Sequence, residues 1–551
     1  MRAADFIVTA LEAYGIERLW CVPGESYLGL LDALYGSNAV ETIVCRHESG
    51  AGFMAVAEAK LTGKPAAYAV SRGPGATNAS IALHVAEQDA LPVVLFVGQV
   101  ARKDLGRGAF QEIDYASFYG DIAKGIWEVS DASELPGVMQ QALTLAQAGT
   151  PGPVVISLPE DMLHDECAQT PLALDIAQPP APCGFDISKL GDMLAKAERP
   201  LVIAGAMISG DEGAAALSAF AERFQVPVAL SWKHQDRFDN TSKYYAGHLG
   251  FGMPKAHRDE LLKSDLIIAV GTRLGDVATQ NYTLPDAPKP AQTLVHVYPD
   301  GEVLGKVYET DLPLACDPVE FLEAMNKYIE PDITAGRDAW VSLLTEFVSN
   351  NMHFTAREVD DGIDYGTVVN ALAQQADKDA ILMTDAGNFS GWMHRYWKMT
   401  PHNTLIGGVA GAMGLGVPGA VAASYLAPER QVILVIGDGS IMMTGNELAT
   451  AKMLGAKPKI FISNNGIYGT IRQHQEMKFP GRVSGTDLVN PDFCQWAESF
   501  GAKTIRIAPG DDVDKKVAEA LAHNDSAVVV DVMSSTESLS AFVTLSQLAK
   551  S

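Results

Sequence analysis

Val432-Ile433-Leu434-Val435-Ile436-Gly437-Asp438-Gly439-Ser440, followed downstream by Ile460-Phe461-Ile462-Ser463-Asn464-Asn465-Gly466, is the stretch from which the fold can be read. Each half is a short, continuous apolar run that breaks into a turn of Gly, Asp or Asn. Runs apolar on both faces mark strands buried inside a parallel sheet. The two turns then lie at the carboxyl ends of neighbouring strands, where open α/β sheets take their ligands. Asp438 offers a hard anionic oxygen and Asn465 an amide oxygen, while the glycines let the backbone approach a phosphate closely. Such a donor set suits Mg²⁺, which takes few protein ligands and completes its octahedron with phosphate and water. A helix begun after Ser440 would add N–H groups and a positive dipole end to the same anion.

The same alternation of apolar run and helical pattern occurs in three segments. From residue 1 to about 165 the strand-like runs are 19–23, 42–45, 66–71, 93–97 and 154–158. Gln178-Pro179-Pro180-Ala181-Pro182 then reads as a linker, because proline stiffens the chain and donates nothing to a ladder. Runs at 201–204, 226–230, 266–270 and 294–297 follow, and after Ala324 a helical, polar connection leads to runs at 381–384, 432–436, 460–463 and 528–532. The fold expected is α/β, with three doubly wound parallel-sheet domains at 1–168, 185–327 and 360–551. A chain of 551 residues is too long for one hydrophobic core, in keeping with that division. No short-period repeat marks a solenoid, and the first and third units are candidates for a shared architecture.

Composition narrows the function classes. A formal charge of -26 argues against a nucleic-acid partner, since phosphate binding needs clustered Lys and Arg. The six cysteines form no CxxC pair, so neither a zinc knuckle nor a redox motif is encoded. The amphipathic start Phe6, Ile7, Leu11, Tyr14 lacks the apolar core of a signal peptide. Residues 406–426 are long enough to span a membrane, yet six glycines and Pro418 break the run, and a Gly-rich turn with a buried helix accounts for it better. No membrane contact and a cytoplasmic location are expected.

GDG, an intervening helix and NN at this separation resemble the signature of thiamin diphosphate enzymes. The resemblance implies that Asp438 and Asn465 ligate Mg²⁺ by side chain and Ile467 by its carbonyl, with Gly439 and Ser440 beside the diphosphate. It also implies pyrimidine-binding and diphosphate-binding domains, first and third in the chain, flanking a Rossmann-like middle one. Thiamin reacts once its thiazolium C2 loses a proton, which needs a carboxylic acid at the far nitrogen of the aminopyrimidine. Arg46-His47-Glu48, after the run 42–45, matches that activating glutamate, and burial is expected to raise the Glu48 carboxyl towards neutrality.

Ser71-Arg72-Gly73-Pro74-Gly75-Ala76-Thr77-Asn78 and Ala109-Phe110-Gln111-Glu112 are similar to segments of acetolactate synthases, and Gln111 would face the thiazolium. Gly411-Ala412-Met413-Gly414-Leu415-Gly416-Val417-Pro418 parallels the family's cofactor-bending region. Met413 would be the wedge and Gly411 a carbonyl contact to the aminopyrimidine. In Asp385-Ala386-Gly387-Asn388-Phe389, Asn388 can donate an amide N–H to the diphosphate, which the Phe389 ring cannot. Because acid and metal site lie in different domains, the family completes each site across a subunit interface, so a homodimer or homotetramer is implied.

Departures from acetolactate synthases lie at substrate-facing positions. Val277 replaces an arginine that clamps the second substrate's carboxylate, within Arg273-Leu274-Gly275-Asp276-Val277; His474 replaces a tryptophan and Glu160 a lysine. The same region belongs to the flavin site of those enzymes, so tightly bound FAD is not expected. Gly205 and Gly210 do not form GxGxxG, which leaves a nicotinamide site unsupported. Ser26, in Pro23-Gly24-Glu25-Ser26, is reminiscent of the carboxylate-contacting serine of benzoylformate decarboxylase, and His474 and His84 are candidate proton handlers. The activity implied is a carboligase or lyase in which a 2-oxo acid loses CO2 and the remainder meets an aldehyde or ketone acceptor. The alternatives are plain decarboxylation and, from another class, a catalytically silent regulatory paralogue.

Overall fold

Three six-stranded sheets, parallel throughout, organise the chain. The computed structural model describes residues 1–167, 170–328 and 336–549. The expected end of the first domain at 168, and the last two residues of the third, lie outside them. The first sheet comprises β1 (Arg18–Cys21), β2 (Glu41–Val44), β3 (Ala66–Val70), β4 (Val93–Gln99), β5 (Gly125–Glu128) and β6 (Val154–Pro159), in the order β2-β1-β3-β4-β6-β5. The second contains β7 (Pro200–Ala204), β8 (Val228–Ser231), β9 (Tyr245–Leu249), β10 (Leu266–Val270), β11 (Thr293–Tyr298) and β12 (Leu312–Ala315), ordered β12-β11-β10-β7-β8-β9. The third holds β13 (Ile381–Thr384), β14 (Thr404–Ile406), β15 (Val432–Gly437), β16 (Lys459–Asn464), β17 (Lys503–Ile507) and β18 (Val528–Met533), ordered β14-β13-β15-β16-β18-β17.

Counted within each unit, the first and third sheets share one strand order, so the suspected common architecture is real. Read from its other edge, the central sheet runs 3-2-1-4-5-6, the doubly wound order of dinucleotide folds. Every run expected from the sequence is a strand. The five strands it missed, β5, β9, β12, β14 and β17, all stand at or form sheet edges.

The first and third domains share one core. Helices Glu48–Thr62 and Gly416–Leu426 are buried nearly all round, and Phe53, Ala55 and Ala57 sit in the same apolar cluster as Val417, Val421 and Ala422. A helix apolar on every face belongs in such a position. Gly419 lets the second helix lie close on β13, where a Cβ would come 2.6 Å from the Met383 methyl. The Gly-rich segment 406–426 is thus a turn and an 11-residue buried helix, and no helix among the described residues is long and apolar enough to cross a membrane. No disulfide joins the six cysteines.

Candidate active site

β15 and β16 are neighbours, and their carboxyl ends open on one cavity of ≈ 240 Å³. Its walls bring together all eight residues that the sequence assigned to cofactor and metal in the third domain: Asn388, Gly411, Met413, Asp438, Gly439, Ser440, Asn465 and Ile467. The helix after β15 starts at Asp438 rather than after Ser440, because Gly437, still extended at φ -87° and ψ 160°, serves as its N-cap. Asp438 is therefore the first residue of the helix and is 2 % exposed. Burial pushes its carboxyl above the ordinary value, and three donors oppose that shift. Oδ1 accepts the Gly439 N–H at 2.8 Å, and Oδ2 accepts the Gly466 N–H at 2.7 Å and Asn490 Nδ2 at 2.8 Å.

Asn490 was not singled out from the sequence, where it reads as a turn residue before Pro491. Its amide also donates to Asn464 Oδ1 at 2.9 Å, so it ties both motif loops together. Asn465 Oδ1 accepts the Ile467 N–H at 3.2 Å, and Ser440 Oγ donates to Ala386 O at 3.2 Å. Glycine is required at 439, since a Cβ would collide with the Tyr468 ring. Phe389 does contribute to the cavity, as an apolar wall packed on Gly437.

Asn388 departs from expectation. Its Nδ2 already donates to Gln473 Oε1 at 3.0 Å and Leu539 O at 3.3 Å, and its Oδ1 accepts Thr470 Oγ1 at 3.0 Å. The amide ties the turn after β13 to helix Gly469–Lys478 instead of offering a free N–H to a ligand.

Glu48 and Gln111 form a second group that does not border this cavity in the same chain. Glu48 opens the helix that His47 caps, and its Oε2 accepts Asn78 Nδ2 at 2.9 Å. It is half-buried in the single chain, not enclosed as expected, although Ser49, Gly50 and Ala51, which follow it in the helix, are buried. The backbone leading to it is held by Glu447, fully buried in the third domain, whose Oε1 accepts the N–H groups of Arg46 at 2.9 Å and His47 at 3.0 Å. Gln111 takes φ 65°, and its carbonyl sits where only a glycine fits opposite, at Gly73.

Three other candidates are placed elsewhere. Ser26 is fully buried, 3.0 Å from Ser71 Oγ, and accepts the Arg72 N–H at 3.0 Å. Its hydroxyl braces the loop that carries Gly73 and Gly75. Accordingly, Ser26→Ala is expected to lower stability by about 1–3 kcal/mol and leave KM for substrate unchanged, read by thermal melting and steady-state kinetics. His474 and His84 are exposed on helices Gly469–Lys478 and Pro74–Gln88, outside the cavity. Glu160 pairs with Arg72 at 3.0 Å, and Val277 lines a separate cavity of ≈ 130 Å³ where the central domain meets Gln88, Asp89, Ala90 and Val409.

Among the described residues no cluster of three or more His, Cys, Asp or Glu could hold a metal. A cation in the main cavity would rest on one carboxylate and neutral oxygens, with a bound phosphate supplying the remainder. That is the manner in which Mg²⁺ is held, so the donor set fits it.

Three models of thiamine pyrophosphate enzymes match in succession: the N-terminal TPP binding domain over residues 1–118, the central domain over 187–325 and the C-terminal TPP binding domain over 385–532. The acetolactate synthase of Mycobacterium leprae is 30% identical over 551 residues, covering 96% of this chain and 87% of that protein. The isozyme 2 large subunit of Escherichia coli is 30% identical over 516 residues, 93% and 92% of the two chains. The structure of a thiamine diphosphate-dependent 4-hydroxybenzoylformate decarboxylase from Rhodococcus jostii RHA1 superposes with a TM-score of 0.85 at 23% identity, covering 97% of this chain and 99% of that one, a likeness of fold. With three family domains in order and near-complete coverage by relatives at this identity, the chain belongs to the thiamine pyrophosphate enzymes.

Proposed function

We propose that this enzyme is a thiamin diphosphate- and Mg²⁺-dependent carboligase or lyase acting on a 2-oxo acid, which is decarboxylated and then transferred to an aldehyde or ketone acceptor. The observation that carries the reading is the single cavity gathering Asp438, Asn465, Ile467 and Met413 at the ends of β15 and β16. When bound, the cofactor supplies a nucleophilic carbon and an electron sink for the decarboxylation. Asp438, Asn465 and the Ile467 carbonyl hold Mg²⁺, while Gly439 and Ser440 line the diphosphate end. Met413 and Gly411 shape the pyrimidine end, and orientation of this kind lowers barriers without new chemistry. Glu48 holds and returns a proton at its carboxyl oxygen, and Gln111 borders the reacting centre.

Glu48 does not border the cavity of its own chain, which supports a site completed by a second copy in a homodimer, or in a homotetramer built from such dimers. Large apolar side chains exposed near both groups support this: Phe110 is 77% exposed and Ile471 52%. The domain limits 1–168, 185–327 and 360–551 form part of the same proposal. So does the absence of tightly held FAD, supported by Val277 in place of the arginine; the purified protein should show no flavin absorbance.

Val277 also favours the second reading, plain decarboxylation, because position 277 itself carries no guanidinium for a second carboxylate and Arg273, in the same cavity, donates to the Gln88 carbonyl. Incubation with thiamin diphosphate, Mg²⁺ and a panel of 2-oxo acids, with and without aldehydes, separates the two. Carboligation predicts hydroxyketone products that appear only with acceptor; free aldehyde as the sole product in every arm supports plain decarboxylation. No turnover of any 2-oxo acid would overturn both.

Asn490 orients Asp438 from outside the proposed coordination sphere. Replacing such partners typically weakens metal affinity by about 10–100-fold. Asn490→Ala is expected to raise the Mg²⁺ concentration needed for half-maximal activity by that factor, measured by metal titration of the chelator-treated enzyme.

A further inference from the structure

The loop after β14 that carries Gly411 and Met413 is held by charged side chains from all three domains. From the first, Lys60 Nζ donates to Gly407 O at 3.0 Å and to Asp89 Oδ1 at 2.6 Å, and Asp89 Oδ2 accepts the Val409 N–H at 2.8 Å. From the central domain, Lys233 Nζ donates to Gly408 O at 2.6 Å and lies 4.7 Å over the Trp232 ring. Within the third, Asp385 Oδ2 accepts the N–H groups of Gly414 at 2.8 Å and Gly416 at 3.3 Å. Both flanks of residues 410–413 are therefore pinned, and Met413 is carried on the short span between them.

Two independent features show that Lys233 is not ordinary packing. It is 1% exposed, and among the described residues it forms no ion pair with a carboxylate, only the bond to a carbonyl and the contact with Trp232. Burial lowers its pKa, the cost of enclosing an ammonium group. Its backbone also takes φ 62°, in the left-handed region that a long side chain seldom occupies. Asp89 and Asp385 act on it only at longer range, without a direct ion pair; an ammonium so enclosed and backbone strain at one residue persist only where the surroundings impose them, and such sites cluster at functional centres. Ala90, directly after Asp89, takes φ 55°.

The central domain does not need Lys233 to dock. Gln235 Nε2 donates to His394 O at 2.8 Å, Asp236 Oδ2 accepts the Leu405 N–H at 3.0 Å, and Asn240 Oδ1 accepts the Met399 N–H at 3.2 Å. These bonds hold the domains together at His394, Met399 and Leu405, and Lys233 reaches past them to the loop itself.

We propose that Lys233, with the Lys60–Asp89 pair, is a positioning residue that sets the 407–416 loop and with it Met413, so that the central domain is part of the active-site scaffold. The consequence for catalysis rests on the reading of Met413 as the cofactor's prop; the consequence for loop order does not.

The test compares Lys233→Met with wild type by hydrogen exchange of the cofactor-free protein and by steady-state kinetics. Exchange in the peptide spanning 407–416 is expected to rise about tenfold or more, with β15 and β16 unchanged. A small displacement of a positioned group can cost up to about 10²-fold in rate, so kcat should fall at least about tenfold while KM for the 2-oxo acid stays within about twofold. Asp89→Asn, which keeps side-chain volume, is read in the same way and serves if Lys233→Met does not fold. Wild-type exchange in the loop together with wild-type kcat overturns the proposal. So does exchange that rises equally in every sheet, with kcat falling only as the folded fraction falls. A wild-type protein that binds no thiamin diphosphate would instead overturn the proposed function, and loop exchange would still report on the clamp.

Discussion

Asp438→Asn is expected to abolish Mg²⁺-dependent binding of thiamin diphosphate, weakening it by on the order of 10³-fold, more than the roughly 10–100-fold typical of an outer-sphere partner. The substitution removes the one carboxylate among the proposed ligands and leaves the side chain's size unchanged. Its oxygen can still accept from Gly466 and Asn490, whose bonds converge on Oδ2. What is lost is the Gly439 bond at Oδ1, now faced by an amide donor. That costs about 1–3 kcal/mol, and removing a charge held at 2 % exposure offsets part of it. The variant should therefore fold and lose activity. A thermal melt shows the distinction: wild type gains stability when both cofactor and Mg²⁺ are added, by linkage, and Asp438→Asn gains none.

Glu48→Gln is expected to lower kcat by ~10²–10⁴-fold, the usual contribution of a positioned acid–base group, with cofactor affinity changed little. Glutamine keeps the length and an oxygen for Asn78 Nδ2, so the loss reports the proton and not the geometry. Retention of full turnover would remove Glu48 from the mechanism. Because Glu48 lies apart from the cavity of its own chain, the two variants also test how the site is assembled. Each is nearly inactive alone. Equal mixing, with subunits allowed to exchange, should restore about a quarter of wild-type activity if each site takes Glu48 from one copy and Asp438 from the other in a two-fold dimer. Sites formed within one chain predict no recovery.

Three of the strands that escaped the sequence, β5, β12 and β17, share a physical cause that does not extend to β9 and β14, which are mostly buried. An edge strand pairs on one side only and need not be apolar on both faces. β17 reads Lys503-Thr504-Ile505-Arg506-Ile507, and Lys503 and Arg506 are exposed. β5 has no fully buried residue, and in β12 buried and exposed positions alternate. Interior strands such as β4 and β15 are buried along their whole length and appear as unbroken apolar runs.

The site divides in a similar way. Asp438 and Asn465 were legible because each follows directly on a strand, so local chain direction delivers both to one sheet end. Asn490 and Glu447 were not, since both act through contacts with residues distant in the chain: Glu447 holds the N–H groups of Arg46 and His47, about 400 positions earlier. Ser26 was chosen by resemblance to a serine of another decarboxylase and His474 as a substituted substrate-facing position, and neither signal tells how a side chain is packed; one is enclosed and the other lies on the surface. Asn388 was placed correctly at the cavity, but its hydrogen bonds to Gln473 and Thr470 come from a helix whose packing the sequence does not reveal.

The central claim is that the cavity at the ends of β15 and β16 takes thiamin diphosphate through a metal. Calorimetric titration of the chelator-treated wild-type protein with thiamin diphosphate, in the presence and absence of Mg²⁺, tests it most directly. Saturable binding of one cofactor per chain that requires Mg²⁺ is the predicted result. No binding, or binding of equal strength without any divalent metal, would contradict it.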